Sequence, residues 1–348
     1  MGASKISFEA SLATDVVEAG RCVGCGACVA VCPYDCLTLT QGRPSLVKEC
    51  KLCGICAQAC PSYNFSQVQM EKFVFGRKRK PEETFGVYRR LVVAQATDEK
   101  ILKVSQDGGV ATALLSYALK NEQVDSAIVT GASKEKPFYP IPKLASTFTE
   151  ILESAGTKYT CSPNTLLLTE ACKQKKAKVV FVGTPCQVQA IRKMQAAGLT
   201  KHTGCLKFTI GLMCSGCFTY EGLMENYIHG EKGVDLRGIK KMNIKGKLLL
   251  TTASGVIGIP LSEIRRHRQR SCGNCGDFSA ELADISVGGL GLDGWTLAII
   301  RTKKGEELFS GAEQAGFLRT KTVDAEANAL SLLVRLSEKK RKNTATLA

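Results

Sequence analysis

Histidine is scarce in this 348-residue chain, with only His202, His229 and His267, scattered along it. No nucleophile and base stand near one another, no zincin pair occurs, and no Ser-His-Asp order or pair of acid/base carboxylates is visible, which excludes the common hydrolytic chemistries. A run of the roughly 18 apolar residues needed to span a bilayer is missing as well. The opening "MGASKISFEA" lacks the charged, apolar and cleavage regions of a secretory leader, so a cytoplasmic chain is expected, peripheral to a membrane at most. Its Met-Gly start does not complete a myristoylation motif, because position 6 is Ile6 and Ser7 comes one place late. There is no Walker A sequence. "GLGLDG", Gly289 to Gly294, has the spacing of a dinucleotide fingerprint, yet the strand-like "WTLAII" follows where a helix is needed; it reads as a turn between strands.

Cysteine, by contrast, is abundant. Seventeen thiols in a reducing compartment call for a use, and metal is the expected one. The formal charge of +15 implies an acidic partner: nucleic acid, anionic lipid or a polyanionic small molecule. No basic helix or aromatic-studded strand accompanies the charge, so nucleic acid is not expected.

"CVGCGACVAVCP" holds Cys22, Cys25, Cys28 and Cys32, and "CKLCGICAQACP" repeats the spacing at Cys50, Cys53, Cys56 and Cys60. This doubled C-x2-C-x2-C-x3-C-P run is that of two-cluster bacterial ferredoxins, where the cysteine before proline reaches across to the other cluster. Cys22, Cys25, Cys28 and Cys60 are thus expected on one 4Fe-4S cluster, and Cys32, Cys50, Cys53 and Cys56 on a second. Zinc fits two such runs poorly. Cys36 is surplus and reads as a packed thiol.

Residues 1–66 form the expected ferredoxin-type domain, and 67–85, with "FGRKRKPEET", a solvated linker. From 86 to 340, apolar runs such as "LVVAQA", "SAIVTG", "KVVFVG" and "LKFTIGLM" alternate with helical stretches such as "GGVATALLSYALK" and "CQVQAIRKMQAAG". That alternation predicts an α/β core, in an N-terminal part to about 165 and a C-terminal part from 166. "IKGKLLLTTASGVIGIP" reads as a hairpin. The end reads as an amphipathic helix with a basic tail at 341–348. "SQDGG", with Gly108 and Gly109 before a helix, can present N–H groups to a phosphate. "RRHRQR", Arg265 to Arg270, is either a solvated face or a grip for phosphates or carboxylates. Two further C-x2-C pairs, Cys214 with Cys217 and Cys272 with Cys275, have by spacing alone the look of a structural zinc site, which leaves Cys186 as a small buried hydrophobe.

"KYTCSPN" (158–164), "VGTPCQVQAIRK" (182–193) and "CGNCGDFSAELADISVGG" (272–289) together resemble the family of coenzyme F420 hydrogenase/dehydrogenase beta subunits. A two-cluster ferredoxin domain in front of that core points within the family to the F420H2 dehydrogenases. The resemblance implies an α/β flavin-binding core with FAD, coenzyme F420 as substrate, and a third 4Fe-4S cluster on Cys186, Cys214, Cys272 and Cys275, with Cys217 extra. FAD is expected against Ser105, Gln106, Asp107, Gly108 and Gly109, against Lys158, Tyr159, Thr160, Ser162 and Asn164, and against Gly183, Thr184, Pro185 and Gln187. The implied activity is oxidation of reduced F420 by hydride transfer to FAD, which can pass electrons singly to iron-sulfur clusters. The implied acceptor is a membrane-bound F420H2 dehydrogenase complex or soluble ferredoxin. Service as the beta subunit of a formate dehydrogenase or hydrogenase is an alternative, as is a ferredoxin-like carrier with no substrate of its own.

Overall fold

The computed structural model describes residues 6–174 and 178–345. Its N-terminal lobe places a small hairpin, β1 (Leu37–Thr40) and β2 (Arg43–Leu46), beside the two short helices Ala27–Ala30 and Ile55–Ala59 that follow the cysteine loops. Phe8, Leu12 and Val16 of the N-terminal helix close this lobe from the side, burying Leu37 and the walls of Cys28, Cys56 and Cys60.

The core is built on an eight-stranded mixed sheet. In chain order its strands are β3 (Arg90–Ala96), β4 (Ser126–Ala132), β5 (Pro140–Ala145), β6 (Val179–Gly183) and β7 (Leu206–Leu212); β8 (Lys241–Lys245), β9 (Lys247–Thr252) and β10 (Gly255–Pro260) form a separate antiparallel sheet; β11 (Ile285–Gly288), β12 (Thr296–Ile300) and β13 (Leu318–Lys321) complete the large one. The large sheet runs β13-β3-β12-β11-β7-β6-β4-β5, with β4, β6, β7 and β11 parallel. Those four are Val-, Ile- and Phe-rich because helices cover both faces. Ligands of such sheets lie outside the carboxyl ends of the parallel strands. There the chain places the Thr184–Gln187 turn after β6, Cys214 after β7 and Gly289 after β11. "GLGLDG" is indeed the turn joining the antiparallel pair β11 and β12.

The two lobes share a core. Cys25, Ala27, Val31 and Ala59 pack with Leu168, Phe181, Ile191 and Met194. Gly26, at φ 89°, lies so close to the core that a Cβ would meet Leu166 Cγ at 2.7 Å. Thr165 Oγ1 donates to the Cys25 carbonyl (2.6 Å) and Thr169 Oγ1 to that of Ala30 (2.6 Å). Lys193 Nζ donates to the carbonyls of Cys60 (2.8 Å) and Tyr63.

Two segments are more ordered than their sequence suggests. Within 67–85, Gln67–Phe75 is a helix with Ser66 as its N-cap; Gly76, Arg77, Lys78, Lys80, Pro81 and Glu82 are exposed, while Arg79 is drawn between the buried carboxylates of Glu71 and Glu281. The acids that hold it lie outside the basic run, so the run by itself looks solvated. The basic tail expected at 341–348 begins inside the helix Ala327–Ala345, where Arg341 pairs with Glu281. Residues 346–348 of that expected tail lie outside the described residues.

Candidate functional site

Two cavities in the N-terminal lobe have cysteine walls. One is lined by Cys22, Cys25, Cys28 and Cys60, the other by Cys32, Cys50, Cys53 and Cys56. The fourth thiol of each comes from the other motif, because both short helices begin just after the cysteine loops and carry their last cysteine across the lobe. Burial pushes the Cys25 and Cys56 thiols up to about 12 and the Cys60 thiol to about 11. Such thiols ionise when a cation replaces the proton, which is the behaviour of an iron-sulfur ligand set. Cys36 also lines the second cavity, with its Sγ donating to the Glu49 carbonyl (3.2 Å).

Six cysteines converge outside the carboxyl ends of β6 and β7. The Phe218 N–H donates to the Tyr159 carbonyl (2.9 Å) and the Gln269 N–H to that of Cys217 (2.9 Å), drawing the 159–161, 217–218 and 268–272 segments together. Cys186 is raised well above the ordinary thiol value by burial, then by Cys275, Cys25 and Cys214. It therefore stands within electrostatic reach of both the core cysteines and the first N-terminal cavity. Cys214 is raised first by its hydrogen bond with Cys217 and then by burial; Cys217 bonds Cys161 in turn. The Cys217 N–H also points at Cys272 Sγ (3.3 Å). Among the described residues no three His, Cys, Asp or Glu side chains close around a point as a single metal ion demands. A cubane spreads one thiolate to each iron and needs the wider ring. Cys161 lies in no C-x2-C pair, although it stands within "KYTCSPN"; a bridge between Thr160 and Phe218 brings it here. Cys172 and Cys205, which stand in no motif of the sequence, are joined as a disulfide.

The expected flavin residues fall into two groups. Ser162, Asn164, Thr184 and Gln187 are brought together but bond one another. Gln187 Nε2 donates to the Ser162 carbonyl (2.6 Å), the Thr184 N–H to Gln187 Oε1 (3.0 Å), and Asn164 Nδ2 to the Val182 carbonyl at the end of β6 (3.1 Å). They brace Gly183, Pro185 and Cys186. The 105–109 loop and residues 158–160 form the second group under β8. Lys241 Nζ donates to the Ser105 carbonyl (3.1 Å), and the Ile244 N–H donates to Tyr159 Oη (3.0 Å), whose phenol burial pushes up to about 12. Burial takes Lys158 down to about 8 while it donates to the Ser154 (2.6 Å) and Ala155 (3.0 Å) carbonyls.

One expectation is corrected. The Gly108 N–H is not open to a phosphate, because it donates to Thr296 Oγ1 (3.1 Å). Gly108 is glycine because a Cβ would strike the β3 and β12 backbones, 2.7 Å from the Ala94 oxygen and 2.8 Å from the Thr296 nitrogen. The N–H groups that remain for an anion are those of the first turn of Val110–Lys120, which have no acceptor within the helix. Nearby, Ser105 Oγ, Gln106 Nε2 and Thr160 Oγ1 are buried without a hydrogen-bond partner. Three orphaned polar atoms in the loops expected to hold a polar cofactor fit such a group.

Residues 91–169 match the N-terminal, and 176–326 the C-terminal, region of the coenzyme F420 hydrogenase/dehydrogenase beta subunit. The chain belongs to this family. Residues 15–38 match a 4Fe-4S binding domain, which makes it an iron-sulfur electron-transfer member. It is 38% identical over 261 residues to the beta chain of the coenzyme F420 hydrogenase of Methanothermobacter thermautotrophicus, covering 74% of this chain and 92% of that one. It is 28% identical over 347 residues to a component chain of the F(420)H(2) dehydrogenase of Methanosarcina mazei, covering 95% and 92%. A chain of the xenon-derivatised F420-reducing [NiFe] hydrogenase complex from Methanosarcina barkeri superposes with a TM-score of 0.73 at 37% identity, over 77% of this chain and 94% of that one. Among the described residues no helix is long and apolar enough to cross a membrane.

Proposed function

We propose that this family member oxidises reduced coenzyme F420 at an FAD held under β8, and that electrons leave through three 4Fe-4S clusters to a protein acceptor. The observation that carries the reading is the place of Cys186, whose thiol is acted on by Cys275 and Cys214 of the core and by Cys25 of the N-terminal lobe. Cys28 likewise stands within reach of Cys56 of the second cavity. These two couplings support a path from the core cysteines through the first N-terminal cavity to the second.

In this reading Cys186, Cys214, Cys272 and Cys275 ligate the core cluster; Cys22, Cys25, Cys28 and Cys60 the next; Cys32, Cys50, Cys53 and Cys56 the outermost. The orphaned Ser105, Gln106 and Thr160 atoms and the open helix start at Val110 fit an FAD. FAD supplies conversion between a hydride pair and single electrons. The chain's own residues do the rest. The first-turn N–H groups bind the diphosphate, and β8 covers the loop and excludes water. The Gln187, Ser162 and Asn164 bonds hold the Cys186 turn in place. Lys241 and Lys245 near Asp107 attract the anionic F420 tail.

The near full-length match to the F420H2 dehydrogenase chain favours a membrane-bound complex as acceptor over the hydrogenase role, whose beta-chain relative covers 74% of this chain. Soluble ferredoxin is the other acceptor that fits a ferredoxin-type exit lobe. The test is anaerobic purification with flavin and iron counts. About twelve iron atoms and one FAD per chain are expected, from four irons per cubane. About eight irons would remove the core cluster, and protein without flavin reduced by F420H2 would remove the FAD.

A further inference from the structure

The C-terminal helix Ala327–Ala345 packs Ala329 and Leu333 against Phe278, Leu292 and Leu297, with Met213 at the edge of the same cluster. Leu333, Ser337 and Lys340 fall on one buried face, at spacings of four and three residues. Arg341 fixes the end of that face to Glu281. So held, Lys340 is only 6% exposed, an unusual place for lysine. The helix lies against the 270–274 turn that carries Cys272, and the thiols of Cys275, Cys214 and Cys272 and the guanidinium of Arg268 act on the Lys340 ammonium. Asp277, two residues beyond Cys275, sets a carboxylate against the same corner while accepting from the Glu281 N–H at 3.0 and 3.2 Å. Arg268 clamps the two cysteine segments, its Nη2 donating to the Ser215 (2.8 Å) and Cys272 (2.9 Å) carbonyls.

We propose that Lys340 is the positioned charge that makes the core cluster the favoured first electron acceptor. The inference rests on the reading that Cys186, Cys214, Cys272 and Cys275 hold a cubane. Four thiolates give that cluster a net negative charge, and each electron it takes adds one more. A buried ammonium beside three of the four ligands stabilises the reduced form over the oxidised one, and low dielectric makes the effect larger than at a surface. The electron comes from F420H2 by way of the flavin and passes on to the N-terminal clusters, so no other reductant is involved. Lys340 touches neither substrate nor flavin and acts through the cluster. By sequence it is the last residue before the expected basic tail, because nothing local in "LSEKKRKN" distinguishes the buried lysine from its exposed neighbours.

The test is a redox titration of the anaerobically purified full chain, followed by electron paramagnetic resonance, with iron counted in each sample. Lys340→Met is compared with Lys340→Arg and with Lys339→Met, which removes the same charge from an exposed position. Lys340→Met should keep full iron and move one cluster's midpoint to more negative potential, a shift that persists at high salt; the other midpoints, and both control variants, should stay near the unaltered protein. An unmoved midpoint at full iron would overturn the inference, as would equal iron loss from the Met and Arg variants, which would make Lys340 a packing element. An unaltered protein with only two clusters would instead remove the core cluster itself.

Discussion

Lys193→Met removes the charged group that ties the core to the ferredoxin-type lobe while keeping most of the side-chain stem. Lys193 Nζ donates to the Cys60 carbonyl at 2.8 Å, to that of Tyr63, and more distantly to that of Ala57 at 3.4 Å. Hydrogen bonds from a charged donor are worth about 1.5–3 kcal/mol each, so two good ones give roughly 3–6 kcal/mol. The burial that lowers the Lys193 pKa offsets part of this. A net loss of about 2–4 kcal/mol follows, concentrated where the Cys60 turn meets the core. If iron escapes by local opening there, chelator-driven release from the N-terminal lobe should quicken by roughly 30-fold or more, since each 1.4 kcal/mol is tenfold. The assay is iron release to a coloured chelator under anaerobic conditions, beside a thermal melt. Release at the unaltered rate from a protein of unaltered melting temperature would refute the view that this lysine holds the lobe in place.

Cys186→Ser is expected to lose about four irons per chain, and Cys217→Ser none, by the four-thiolate rule for cubanes; zinc at about one per chain that departs with Cys217→Ser would reverse the assignment. Gly108→Ala puts a methyl into two strand backbones and should cost about 2–3 kcal/mol in denaturant unfolding. Gly289→Ala meets only the movable Asp107 carboxylate and should cost under about 1 kcal/mol; equal losses in the pair would show that the strand packing is misread. Lys158 has a folded pKa of about 8, below its ordinary 10.5, because it is buried. Between those values the unfolded chain binds the extra proton, so stability rises with pH across that window, by at most about 3 kcal/mol. Lys158→Met should lack the rise in melts taken from about pH 7 to 10.5, and parallel pH profiles for the two proteins would contradict this.

The parts of the fold that can be read in advance are those set by local pattern. The strands after residue 86 show as apolar runs, the turn between β11 and β12 as a glycine cluster with no helix after it, and the paired cysteine cavities as a spacing that fixes which thiol crosses over. What stays hidden depends on contacts distant in sequence. Arg79 is drawn toward the core because Glu281, some two hundred residues later, lies opposite it beside Glu71. Cys161 joins the core cysteines through a strand bridge near Phe218. The Gly108 N–H looks free for a phosphate in the sequence, but Thr296 on β12 accepts it. Gln187 and Asn164 are recognisable as residues of this corner, whereas their bracing of the Cys186 turn follows from bonds between separate segments.

The most direct test of the account is anaerobic stopped-flow absorbance after mixing the purified protein with reduced F420. Oxidised F420 absorption should appear as flavin absorption falls, with iron-sulfur bleaching following as a later phase. Iron-sulfur bleaching without a preceding flavin phase, or F420H2 that stays reduced in the presence of flavin-replete protein, would contradict it.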